Sequence, residues 1–118
     1  MIRMKAGAQA EQTAAQFLQR QGLRLVQTNF HCCFGEIDLI LQEGATLVFA
    51  EVRLRSRSDF GGAAASIDAR KQHKLILTAQ YYLSRVVPVP PCRFDALLLS
   101  TAAGESGIEW IKGAFELG

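Results

Sequence analysis

Two strand-like stretches joined by a tight turn occupy the middle of the chain. In residues 36–42, Ile37, Leu39 and Leu41 alternate with Glu36, Asp38, Ile40 and Gln42. That is the period of a strand with two different faces. Glu43-Gly44-Ala45 is a turn signal. Residues 47–54 form a second strand. Its first half, Leu47-Val48-Phe49-Ala50, is apolar on both faces, as in the centre of a sheet. In its second half Val52 and Leu54 stay apolar, while Glu51, Arg53 and Arg55 share the other face. A hairpin centred between Gly44 and Ala45 places Glu43 opposite Thr46. Counting outward places Asp38 opposite Glu51, on one sheet face with Cβ atoms about 5 Å apart.

Other elements assemble around this hairpin. Ala10, Ala14, Phe17, Leu18 and Gln21 recur near one face of a helix over residues 8–21, and Gly22 is a natural stop. Residues 23–30 read as a short strand. After a loop carrying Gly61-Gly62, a helix capped near Ser66 or Asp68 runs to about Ser84, with Gln72, Leu75, Ile76, Ala79 and Leu83 as its inner stripe. Pro88, Pro90 and Pro91 prevent its continuation. Residues 93–100 read as a buried strand, and residues 108–111 as a short last one. A hairpin-linked trio of strands, a helical crossover and two more strands predict an α/β fold, a mixed sheet with helices packed on it.

A length of 118 residues fits one domain spanning residues 1–118, and a hydrophobic content of 49% supplies a core. No apolar run reaches the roughly 20 residues that span a bilayer, and the first residues lack an apolar stretch of signal-peptide length. A cytoplasmic protein with no membrane partner is expected. The three cysteines, Cys32, Cys33 and Cys92, are an odd number with two adjacent, which suits free thiols in a reducing compartment. His31-Cys32-Cys33 matches no usual zinc spacing. The net charge of +2 says little, but six of the thirteen basic residues, Arg53, Arg55, Arg57, Arg70, Lys71 and Lys74, lie in one stretch opposed by Asp59 and Asp68 alone. Such a patch either attracts phosphate or forms a solvated face.

Asp38 and Glu51 are the chemically loaded pair. Like charges so close are unfavourable unless something positive lies between them. Arg53, two residues on, offers a salt bridge. A divalent metal offers a second answer, since magnesium takes one or two carboxylates with water and substrate phosphate completing its shell. Residue spacing leaves both open. Asp59-Phe60-Gly61 repeats a kinase triplet in a chain too short for a kinase and without a glycine-rich phosphate loop. His31 and His73 have no evident partner in the sequence.

Four motifs taken in order resemble one family: Gly35-Glu36-Ile37-Asp38-Leu39-Ile40, then Phe49-Ala50-Glu51-Val52-Arg53-Leu54-Arg55, then Lys71-Gln72, then Arg93-Phe94-Asp95. They resemble the YraN-like family of uncharacterised bacterial proteins, itself similar to archaeal Holliday-junction resolvases and the wider PD-(D/E)XK nucleases. The resemblance covers nearly the whole chain and implies a restriction-endonuclease-like mixed five-stranded sheet flanked by helices. It implies a metal-dependent nuclease, using Mg2+ or Mn2+, that hydrolyses phosphodiesters in structured or branched DNA, and a homodimer. By position, Asp38 matches the metal-binding aspartate and Glu51 the acid of the Glu-x-Lys pair. Arg53 stands where that pair's lysine usually is, and Gln72 matches a helix glutamine found near such sites. Glu11 matches a first-helix glutamate that can complete the metal shell, with a solvated carboxylate as its alternative. Glu36 stands as an accessory ligand or a strand-end charge. Arg53 departs from the pattern. Arginine keeps its charge and can clamp phosphate, but cannot lose a proton to act as a base. A nucleic-acid-binding protein that keeps the nuclease fold without turnover is therefore the alternative function.

Overall fold

The computed structural model describes residues 2–55, 67–100 and 107–116, with side chains from residue 7 onward and Arg55's excepted. Arg57, the kinase-like triplet and the expected cap Ser66 lie outside the described residues. The elements are α1 (Ile2–Arg20), β1 (Arg24–Cys32), β2 (Gly35–Glu43), β3 (Thr46–Arg55), α2 (Ala69–Leu83), β4 (Cys92–Ser100) and β5 (Ile108–Phe115). This is the expected order of helix, three strands, helix and two strands. The sheet runs β1-β2-β3-β4-β5. Only the β3–β4 pair is parallel, and α2 is the crossover that a parallel pair requires. The fold is α/β with a mixed five-stranded sheet and two helices, consistent with the restriction-endonuclease-like architecture.

Each helix covers one sheet face. Ala10, Ala14 and Leu18 recur at four-residue spacing on α1 and pack, with Ala15, on Leu39, Leu41, Val48, Ala50, Leu97 and Leu99. Leu75, Ala79 and Leu83 of α2 pack on the opposite face against Ile40, Phe49, Phe94 and Leu98. Covered on both sides, residues 47–50 of β3 and 94–99 of β4 are buried without a break. The doubly apolar stretch at residues 47–50 foreshadowed this for β3.

Local signals set the helix ends. Gly22 takes φ 99°, and α1 closes with Leu23 N donating to Leu18 O and Gly22 N to Gln19 O, both at 3.1 Å. These are the two bonds of a Schellman motif, which a glycine satisfies without strain. Asp68 caps α2, its Oδ1 accepting from Lys71 N at 2.9 Å. At the start of β2, Gly35 has φ 149°, and a Cβ there would lie 3.3 Å from Thr78 Oγ1 of α2. A bare backbone is what lets the end of the first hairpin approach α2.

The last strand runs four residues beyond the expected residues 108–111. Pairing with β4 shifts register between Phe94 and Ala96, at Asp95. Asp95 is fully buried. Its carboxylate accepts from Arg93 Nε (2.8 Å) and Nη2 (2.9 Å), Trp110 Nε1 (2.9 Å) and Gly113 N (3.0 Å). A buried carboxylate needs such partners, and here the side chain bridges the gap in the ladder. Beyond it, Phe115 stacks on Phe94 with centroids 4.6 Å apart.

Candidate functional site

The turn residues set the hairpin register as expected: Glu43 pairs with Thr46, and the ladder runs outward to Leu39–Ala50. It ends there, one pair short of Asp38–Glu51. Ile37 and Ile40 both face α2, whereas Leu39 and Leu41 face α1. Residues three apart in a regular strand point to opposite faces, so the pleat of β2 is broken around Asp38. The β1–β2 ladder likewise passes over Asn29 and Asp38, and Asn29 adopts φ 53°. The expectation that Glu36, Asp38 and Glu51 share one face by simple alternation is therefore corrected. Asp38 leaves the ladder, and its Oδ2 accepts from Val52 N at 2.8 Å. The carboxylate replaces a strand carbonyl at the point where β2 separates from β3.

This break draws carboxylates together from three elements. Asp38 acts on both Glu51 of β3 and Glu11 of α1, raising the pKa of each. Glu51 is buried, and its carboxyl is pushed up to about 7, first by burial and then by the charge of Asp38. Two cations oppose that shift: Lys71 Nζ and Arg53 Nε each lie 3.4 Å from Glu51 Oε2. Desolvation and the neighbouring carboxylate prevail, because neither contact is a close charge-assisted hydrogen bond. Glu11 is also pushed up to about 7, by burial first, then by Asp38, with a smaller push from Glu36. The Asn29 side chain hydrogen-bonds Glu11 and lowers it. These groups line a cleft of about 290 Å³ bounded also by Gly7, Ala10, Val52 and Leu54.

The remaining site residues fall as follows. Arg53 lines the cleft, and its buried Nε has no hydrogen bond among the described residues. Lys71, expected in the basic patch and in the Lys71-Gln72 motif without a site role, reaches Glu51 from the first turn of α2. Gln72 does not line the cleft. Its amide nitrogen donates to Ile67 O at 2.9 Å, tying down the start of α2. Arg70 and Lys74 are exposed on α2 beside Lys71. Arg55 ends β3. Glu36 lines the cleft and pairs with His31 Nδ1 at 3.1 Å, a contact that the sequence did not reveal. Asn29 was missed as well. A signal existed in its residue type, since asparagine tolerates the left-handed region better than most.

Among the described residues no three of His, Cys, Asp and Glu form a ready metal cage. The oxygen-rich donor set nevertheless fits a hard divalent cation that binds through one or two carboxylates and keeps several waters. The negative charge that these clustered carboxyls carry is what such a cation would neutralise. Asp38 and Glu51 would be its ligands; Glu11, expected to complete the shell, lines the same cleft without forming a ready three-residue set with them.

Fold and cleft together define an α/β protein of nuclease-like architecture with a carboxylate-rich, cation-flanked cleft. The chain belongs to the uncharacterised protein family UPF0102, whose family model matches residues 10–99. It is 55% identical over 109 residues to a UPF0102 protein of Methylobacillus flagellatus, covering 92% of this chain and 95% of the relative. It is 56% identical over 110 residues to one of Nitrosomonas europaea, covering 93% and 92%. A UPF0102 protein of Pseudomonas syringae is 47% identical over 117 residues, covering 97% and 95%. The YraN-like resemblance thus holds at the level of the family. Among the described residues no helix is long and apolar enough to cross a membrane.

Proposed function

We propose that this protein is a metal-dependent nuclease that hydrolyses phosphodiesters in structured or branched DNA. One observation carries the reading: Glu11, Asp38 and Glu51, from three separate elements, line one cleft flanked by Arg53 and Lys71. A fold has no structural need to bring two part-buried carboxyls, each raised to about 7, against a third, and such clusters mark functional sites. Asp38 and Glu51 would hold Mg2+ or Mn2+, which when bound supplies an activated water and stabilises charge on the phosphate. Val52 N orients Asp38, and the rigid central strand orients Glu51. Arg53 and Lys71 offset the charge of the phosphate and of its transition state. Water adds to phosphorus as the bond to the leaving oxygen breaks. Arg70 and Lys74, outside the cleft, suit backbone phosphates. The family resemblance supports a homodimer, which two-fold DNA junctions would suit.

The test is incubation with four-way and linear DNA in Mg2+ or Mn2+, beside Asp38→Ala and Glu51→Ala. Metal-dependent cleavage lost in both variants is expected. Absence of cleavage, or cleavage that survives both substitutions, sinks the reading. Salt-sensitive DNA binding without cleavage would instead favour a binding protein that keeps the fold, the outcome that Arg53 in the lysine position makes specific.

A further inference from the structure

Two cations share one carboxylate oxygen, and they are not equivalent. Arg53 approaches Glu51 Oε2 through Nε, a buried atom, and its side chain is 26% exposed. Lys71 approaches the same oxygen through Nζ from a side chain 42% exposed. An ammonium carries three donors, so one turned to Glu51 leaves two for a partner entering from solvent. The lysine's root is firm while its arm is half-exposed. Its backbone N is held by Asp68 Oδ1, Gln72 N donates to Asp68 O, and the Gln72 amide donates to Ile67 O, each at 2.9 Å. An arriving phosphate therefore meets the more exposed Lys71, while Arg53 holds Glu51 through a buried Nε.

We propose that Lys71, on α2, rather than Arg53, on β3, is the catalytic cation that contacts the scissile phosphate. This rests on the nuclease reading. It resolves the departure at Arg53: the amine expected two residues after Glu51 is delivered to the same oxygen from the crossover helix. Lys71 and a divalent cation also compete for Glu51, which gives a readout independent of cleavage.

The test uses the full chain and Lys71→Ala, Lys71→Arg and Arg53→Lys variants, with folding checked by circular dichroism. Single-turnover cleavage of a four-way DNA junction is measured in Mn2+, DNA affinity in Ca2+, and Mn2+ binding by calorimetry at pH 8 without DNA. Lys71→Ala should lose roughly 100-fold or more in rate, with DNA affinity within about threefold, as expected for a charge that acts in the transition state. It should bind Mn2+ roughly three- to tenfold more tightly, because a competing cation has gone. Lys71→Arg should stay within about tenfold of wild type, and Arg53→Lys should cost less than Lys71→Ala. If wild type cuts and Lys71→Ala cuts within about threefold of it, the Lys71 assignment alone is overturned. A rate loss matched by weaker Mn2+ binding also overturns it. Wild type that binds Mn2+ and cuts no DNA removes the nuclease reading itself.

Discussion

Replacing Asp38 by asparagine should stabilise the metal-free protein above neutral pH, although it removes a residue central to the site. Glu51 has a folded-state pKa of about 7 against an ordinary value of 4.5. A carboxyl raised in this way favours folding while protonated. Its contribution is complete below 4.5 and is lost as pH rises through 7, since the folded state then binds more protons than the unfolded one. The full interval corresponds to about 3 kcal/mol. Burial is the larger cause and persists in the variant. The Asp38 charge and its hydrogen bond are the remaining causes, so their removal should return about 1–2 kcal/mol at pH 8. The asparagine oxygen can still accept from Val52 N, keeping the 2.8 Å contact that anchors residue 38. Glu11, also raised to about 7 with Asp38 among its causes, acts in the same window and the same direction, whereas Glu43, lowered chiefly by Arg93, titrates below it. Urea denaturation at pH 5 and pH 8, without metal, checks this. Wild type should weaken from pH 5 to 8. The variant should lose less, with a midpoint at pH 8 about 1 M higher than wild type, given an m-value of roughly 1–2 kcal/mol/M. Mn2+ should restore wild type and leave the variant unmoved. Wild-type stability that rises over the interval, or a variant weakened equally at both pH values, refutes the reasoning.

Other perturbations probe the frame. Asp95→Ala removes the shared acceptor of Arg93, Trp110 and Gly113 and should cost about 3–5 kcal/mol by urea denaturation, because buried donors lose their partner. Gly35→Ala combines φ 149° with a Cβ 3.3 Å from Thr78 Oγ1. A loss of about 1–3 kcal/mol is expected, and thermal melts unchanged from wild type would contradict the close approach of β2 to α2. Asp68→Ala removes the cap on Lys71 N and should cost about 1 kcal/mol, read from chemical denaturation. If Arg70 and Lys74 contact backbone phosphates, each alanine variant should weaken DNA binding across sequences and lower the slope of log affinity against log salt by about 1.

The order of elements, the hairpin register and the nearness of Asp38 to Glu51 were legible in the sequence. Each rests on near neighbours in the chain: the Glu43-Gly44-Ala45 turn, the two-sided apolar run at residues 47–50, Gly22 after α1 and Asp68 before α2. Alternation brought Asp38 near Glu51, yet it misjudged how they meet. The pleat breaks where Asn29 turns left-handed and Asp38 binds Val52 N, and that break depends on three strands at once. Gln72 followed the family pattern by position, but its amide satisfies Ile67 O. Glu11 could be read as ligand or solvated charge until α1 packed its alanines on the sheet and brought it to Asp38. Lys71 lies twenty residues beyond Glu51 and reads as one more charge in a basic stretch. The sequence by itself determined which groups the site can use, because turns, caps and apolar periods act over a few residues. That Arg53 and Lys71 meet at one oxygen of Glu51, and that Glu11 joins Asp38 in one cleft, was decided only when two helices packed on opposite faces of one sheet. Those distances are set by long-range burial, which no local pattern records.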